Sequence, residues 1–292
     1  MISENPYRAI AAEYQRLLCD FVPKSLIPPQ TPPIPPDAPN VLLFSPHPDD
    51  ECLTGGLPLR LLRGLRYNIL NFAVTLGSRP QRQRERFEEL QGACNYLGFQ
   101  IILPSERGLN GINPKARKEY PGRWNDAVEI AANLLNKYRP KIVFFPHPGD
   151  RHSTHVGTHY LAMDALGKMG ADFSCFTIET EFWGAMENLN LMVESSCEEV
   201  GDLMAATAFH VGEVRRNPYH LRLPAWMADN VRRGGELVSG QGATVPTMSF
   251  ATLYRMRKWT GGKVEDYLKQ GVICSEKDDL GELFSFSRSH DL

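Results

Sequence analysis

Two clusters of His and carboxylate residues could do chemistry. The first is His47-Pro48-Asp49-Asp50-Glu51, and the second is Asp150-Arg151-His152-Ser153-Thr154-His155, with His159 one helical turn beyond it. Imidazole nitrogen and carboxylate oxygen are the borderline and hard donors that a divalent ion such as zinc accepts. The three acids of the first cluster also have a plainer reading, because carboxylates near a helix start satisfy free N–H groups and the positive end of the helix dipole. Capping does not explain His47, which is held between Pro46 and Pro48. A lone His is usually structural, but His147, His152, His155 and His159 are four of the chain's eight His gathered within 147–159. Within that second cluster, His155 and His159 have the i, i+4 spacing of a helical zinc pair. Alternatively, residues from both clusters complete one three-ligand site.

The elements that must position these residues are legible around them. The apolar run 41–44 reads as a strand buried on both faces, and 141–145 reads the same way. Each ends in a proline-punctuated loop, and Ser45 and His47, each preceding a proline, are pushed away from helical geometry, so the chain leaves the sheet extended and stiff. A helix is expected over 53–65, with Leu57, Leu61 and Leu65 on one face, and another over 155–168, capped by Ser153 or Thr154. Further strands are expected at 69–75, 100–103 and 173–182, and helices at 81–96, 125–138 and 198–214. This alternation predicts an α/β fold, a Rossmann-like three-layer sandwich with a mostly parallel sheet. Right-handed crossovers bring the strand ends near 45 and 146 to one edge, the edge where open α/β sheets bind ligands. No Gly-x-Gly-x-x-Gly follows the first strand, which disfavours a dinucleotide site.

Around that domain, expected over 38–215, the chain divides into an N-terminal helix (4–21) with a Pro-rich arm packed along the domain surface, together 1–37, and a C-terminal extension, 216–292, packing on the core. With 292 residues, 42% hydrophobic and 23% charged, the chain can bury a sizeable core. A formal charge of −2 gives no bulk attraction to nucleic acid or anionic membranes. Six scattered Cys read as reduced thiols rather than a disulfide frame, and no apolar run reaches membrane-spanning length, so a cytoplasmic location is expected.

The two motifs at two strand ends resemble the LmbE-like/PIG-L-like family of zinc-dependent N-acetylglucosaminyl deacetylases, over roughly 38–215. The resemblance implies His47, Asp50 and His155 as Zn2+ ligands, Asp49 as general base, and His152 as the group that stabilises or protonates the tetrahedral intermediate. It thus favours His155 with His47 and Asp50 over the His155/His159 pair, leaving His159 a supporting or structural role. Where the family commonly has Asp before the ligand His, this chain has Thr154, so Asp150 and His159 become the candidates to replace that group. The resemblance also places Arg79, Arg82 and Asn110, with Gly111, in loops that meet the sugar, and His210 at a position where the family often has a His, a helix-surface position being the plainer reading. The function implied is removal of an acetyl or other acyl group from an N-acylated amino sugar or its conjugate. A metal-dependent hydrolase of another bond, such as a phosphoester, is opposed by the two-His, one-carboxylate donor set. A non-catalytic metal-binding homologue is opposed by Asp49 beside Asp50.

Overall fold

A computed structural model describes residues 5, 7–18, 26–30 and 33–285. In chain order the elements are α1 (Tyr7–Leu17), β1 (Asn40–Ser45), α2 (Asp50–Leu53), α3 (Gly56–Arg63), β2 (Asn68–Ala73), α4 (Gln83–Leu97), β3 (Gln100–Ile102), α5 (Pro114–Glu119), α6 (Pro121–Tyr138), β4 (Ile142–Pro146), α7 (Ser153–Leu166), β5 (Cys175–Thr180), β6 (Leu191–Glu194), α8 (Cys197–Ala208), α9 (Val211–Arg216), α10 (Leu223–Ser239), β7 (Ala251–Thr260), β8 (Lys263–Asp266), β9 (Val272–Cys274) and α11 (Leu280–Leu283). Short 3₁₀ turns lie at Pro80–Arg82 and Tyr219–Arg222.

One sheet carries the order β3-β2-β1-β4-β5-β7-β6-β9, with β8 paired to β7. Strands β1 to β5 run parallel, and β7 enters antiparallel between β5 and β6. Alternate residues of the same strands feed two cores. Val41, Leu43, Ile142 and Phe144 pack with Leu57 and Leu61 of α3 and the inner faces of α4 and α8 on one side. Leu42, Phe44, Val143 and Phe145 pack with α6 and α7 on the other. The three-layer α/β arrangement expected from the sequence is therefore the one observed, and the continuous apolar strands follow from burial on both faces.

Several boundaries differ from expectation. The helix expected over 53–65 is two short helices, α2 and α3, because Gly55 between them sits at φ 97°, with Thr252 Oγ1 only 2.3 Å from where a β-carbon would lie. The helix expected over 198–214 breaks between α8 and α9, which removes His210 from a helix surface. Residues 216–292, expected to pack on the core, supply β7, β8 and β9 to the sheet itself. At the other end, the termini of the helix expected over 4–21 lie partly outside the described residues, and α1 keeps Tyr7, Ile10, Tyr14 and Leu17 exposed rather than packed down. The arm beyond it does touch the domain, where Arg66 Nε donates to Pro33 O at 3.2 Å and Ile34 packs on the core.

Candidate metal centre and active site

Strands β1 and β4 are neighbours, so the two motif loops leave the sheet side by side. Asp50 is at the centre of their meeting. Its Oδ2 accepts the His47 amide at 2.9 Å, lies 3.2 Å from His47 Nδ1 and 3.3 Å from His155 Nε2. Burial alone would raise the Asp50 carboxyl, but the His155 and His47 rings outweigh it and hold the group well below the usual carboxylate range. His155 is buried, and neither of its ring nitrogens has a hydrogen-bond partner. Burial opposes its charge, and the Asp50 and Asp150 carboxylates outweigh that and raise its pKa.

His152 joins the group, since ligand atoms of His47, His152 and His155 all lie within 4.8 Å of one another. Two imidazoles and a carboxylate, with a buried imidazole whose nitrogens are otherwise orphaned, fit a divalent ion such as zinc. His152 is held differently from the expectation that Ser153 or Thr154 caps the following helix. It is itself the N-cap of α7, and its Nδ1 accepts the Thr154 amide at 3.3 Å, which leaves the ring proton on Nε2. Burial, followed by the neighbouring His47 and His155, lowers its pKa.

The carboxylate absent at position 154 has a counterpart in Asp150. Its Oδ1 accepts the His152 amide at 2.8 Å and lies 3.6 Å from His155 Nδ1. His159 is turned elsewhere. Its Nδ1 donates to Pro146 O at 3.0 Å beside Glu179, and burial lowers its pKa to about 4, which keeps the ring neutral. The helical His155/His159 pair is thus not brought to a common point.

Asp49 does not cap a helix with its side chain, despite sitting at the N-cap of α2. Its backbone is at φ 117°, a region L-residues rarely occupy. Three contacts hold it there: its amide donates to Glu51 Oε2 at 2.8 Å, Tyr219 Oη donates to its Oδ2 at 2.7 Å, and Arg86 stands 3.7 Å from its Oδ1. Burial and the adjacent Asp50 charge push its carboxyl up to about 7, against the pull of His210, Arg86 and Tyr219. Glu51 takes no part in the cluster of donors. It is fully buried, with Oε1 at 2.7 Å from His210 Nε2 and accepting from Cys52 Sγ at 3.3 Å.

These groups open into a cavity of about 850 Å³ lined also by Arg79, Arg82, Asn110, Trp183 and Tyr219. Arg82 is committed to Glu213 at 3.1 Å and to Glu85 at 3.4 Å. Sequence reasoning missed Tyr219, Arg86 and Trp183. Tyr219 and Trp183 come from segments whose pattern carries no motif, and Arg86 reads as one cation in a balanced helix.

An open, mostly parallel sheet with a His and carboxylate cluster at its carboxyl edge defines an α/β protein with a candidate metal centre at the strand ends. Within that class, residues 42–166 match the family model described as PIG-L, GlcNAc-PI de-N-acetylase, which bears out the resemblance carried by the two motifs. A 1D-myo-inositol 2-acetamido-2-deoxy-alpha-D-glucopyranoside deacetylase from Mycobacterium leprae is 24% identical over 160 residues, which are 46% of this chain and 52% of that protein. The chain therefore spans about half the length of the curated relatives it matches. Among solved structures, the N,N'-diacetylchitobiose deacetylase of Pyrococcus horikoshii superposes with a TM-score of 0.54 at 15% identity, covering 77% of this chain and 85% of that one. GalB, the 4-carboxy-2-hydroxymuconate hydratase of Pseudomonas putida KT2440, superposes with a TM-score of 0.56 at 15% identity, covering 75% and 95%. At such identities these structures share the fold, and a fold can host unrelated chemistries.

Proposed function

We propose that the protein is a zinc-dependent amidohydrolase that removes an acetyl group from the nitrogen of an N-acetylglucosamine-type sugar or conjugate. The observation that carries this reading is the convergence of His47, Asp50 and His155 beside a separately held carboxylate, Asp49, in one cavity. The family match over 42–166 and the deacetylase relatives support the substrate class.

His47, Asp50 and His155 would hold the ion, which supplies Lewis acidity toward a carbonyl and toward water at neutral pH. Asp49 accepts the proton of the attacking water as its oxygen bonds to the amide carbon. Tyr219 and Arg86 fix where that carboxylate points. His152, with its proton on Nε2, donates a hydrogen bond to the charge that develops on the carbonyl oxygen, and Asp49 passes the proton it took from water to the nitrogen as the C–N bond breaks. Acetate and a free amine leave, one water having been consumed. Asp150 holds His152 and His155 in register through its Oδ1.

Among the described residues, no helix is long and apolar enough to cross a membrane, and the five described cysteines are free. Those thiols support a cytoplasmic setting. The test of the reading is elemental analysis of the purified protein, followed by acetate release from a panel of N-acetylated sugars. Stoichiometric zinc with acetate release is the expected result. Protein that carries no zinc, or zinc-loaded protein that leaves every such sugar intact, would remove it.

A further inference from the structure

Trp183 is 59% exposed, whereas Trp124 and Trp259 are buried at 5% and 4%. Among the exposed large apolar side chains of the described residues, it alone lines the cavity. The two side chains before it turn inward. Phe182 packs edge-on against the His155 ring at 4.9 Å, and Glu181 accepts the Met186 amide at 2.6 Å and Arg233 Nη2 at 2.7 Å.

The backbone under Trp183 is clamped from two sides. Asp150 Oδ2 accepts the Trp183 and Gly184 amides at 3.0 and 3.2 Å, and His147 Nε2 donates to Gly184 O at 2.8 Å. Gly184 passes so near the second motif loop that an added β-carbon would lie 2.8 Å from Gly149 O. A buried carboxylate and a buried imidazole thus fix a turn whose one large outward side chain is an indole. The same Asp150 lies 3.6 Å from His155 Nδ1, so one side chain ties this turn to the candidate metal cluster.

We propose that Trp183 is the platform for a second sugar ring, the one joined to the N-acetylated residue whose amide faces His47, Asp50 and His155. This inference rests on the function proposed above. A pyranose presents an apolar C–H face ringed by hydroxyls, which matches a flat aromatic body amid polar side chains. The cavity lining carries such polar groups, with the Asn110 and Asn217 amides offering both donors and acceptors. At about 850 Å³ the cavity is in the upper part of the roughly 300–1,000 Å³ range that takes drug-sized ligands, more room than one monosaccharide fills.

The test compares wild type, Trp183→Ala and Trp183→Phe, all zinc-loaded, on N-acetylglucosamine and on N,N'-diacetylchitobiose, by acetate release and by tryptophan fluorescence titration. An aromatic contact worth ~1.4 kcal/mol corresponds to a tenfold effect. Trp183→Ala should therefore raise KM for the disaccharide about tenfold, leave its kcat and the monosaccharide KM nearly unchanged, and abolish the fluorescence change that the disaccharide causes. Trp183→Phe should retain most of the disaccharide affinity. An unchanged thermal midpoint in Trp183→Ala, expected for an exposed side chain, excludes misfolding. Equal KM effects on the two sugars, a fluorescence response that survives in Trp183→Ala, or a wild type that does not respond to the disaccharide would each overturn the platform. A wild type that binds the disaccharide through Trp183 yet releases no acetate would sustain the platform and overturn the deacetylase reading instead.

Discussion

The two motif loops reach the same edge of the sheet by opposite means. In the second loop His152 is held by near neighbours, accepting from Thr154 and donating its amide to Asp150, which also reaches across to Trp183 and Gly184. In the first loop, Asp49 and Glu51 are held by residues far along the chain, Asp49 by Tyr219 and Glu51 by His210. Asp50 faces the second loop itself. The position of His152 is thus written largely in its own motif, while the Asp49 and Glu51 carboxylates find their partners only once distant segments have closed on them.

The largest expected effect comes from Asp50→Ala, which removes the oxygen shared by both loops. Zinc content, read by elemental analysis, and acetate release should both fall to background, and retained stoichiometric zinc would take Asp50 out of the ligand set. Next is Asp49→Asn, which keeps the shape of the first loop and leaves the ligands in place. Turnover should drop by roughly 10²–10⁴-fold at constant zinc content. Loss of the metal in that variant would mean that the two Asp exchange roles.

His210→Ala cuts the long-range support of the first loop alone. Both partners are fully buried, and stranding the Glu51 carboxylate should cost about 3–5 kcal/mol in urea unfolding. A cost below about 1 kcal/mol, the worth of an exposed pair, would show that the pair does not brace the loop. His159 offers a comparison on the second loop's side. Its folded pKa of about 4 is below the value near 6.5 of the unfolded chain, so the unfolded state binds more protons between those values. Stability from this neutral ring is complete above about pH 6.5 and is lost as pH falls toward 4, by roughly 3 kcal/mol in all. His159→Gln should flatten that slope in a pH series of unfolding curves, and an unaltered slope would place the acid sensitivity elsewhere.

The smallest effect is expected of Tyr219→Phe, which deletes one donor to Asp49 while Arg86 stays in place. A loss of about 1 kcal/mol corresponds to a several-fold drop in kcat, with KM and zinc content unchanged. An equal rise in KM would mean that Tyr219 meets substrate rather than bracing Asp49.

The parts of the site legible in the sequence are those that local chemistry dictates. Prolines 46 and 48 announce a stiff strand exit, and the two His-rich loops announce a metal centre. What stayed hidden depends on contacts between distant segments. The break at Gly55 is imposed by Thr252 and Tyr254, and nothing in the leucine spacing over 53–65 signals it. The partners Glu51 and His210 are 159 positions apart, and either alone looks like a surface residue. Ser and Thr are the usual caps, so the sequence points to Ser153 or Thr154, yet the ring of His152 takes that position.

The placement of β7 has a consequence for how the chain is made. Among the described residues, strand β6 pairs only with β7 and β9, both of which follow it in the chain. A ribosome releasing roughly 5–20 residues per second needs about 3–12 s to pass from 194 to 251. During that interval the parallel strands β1 to β5 can assemble, while β6 has emerged with no neighbour to accept its backbone and β5 presents an open edge. The nascent protein is therefore most exposed to mispairing and to holding chaperones in the window between the synthesis of β6 and that of β7.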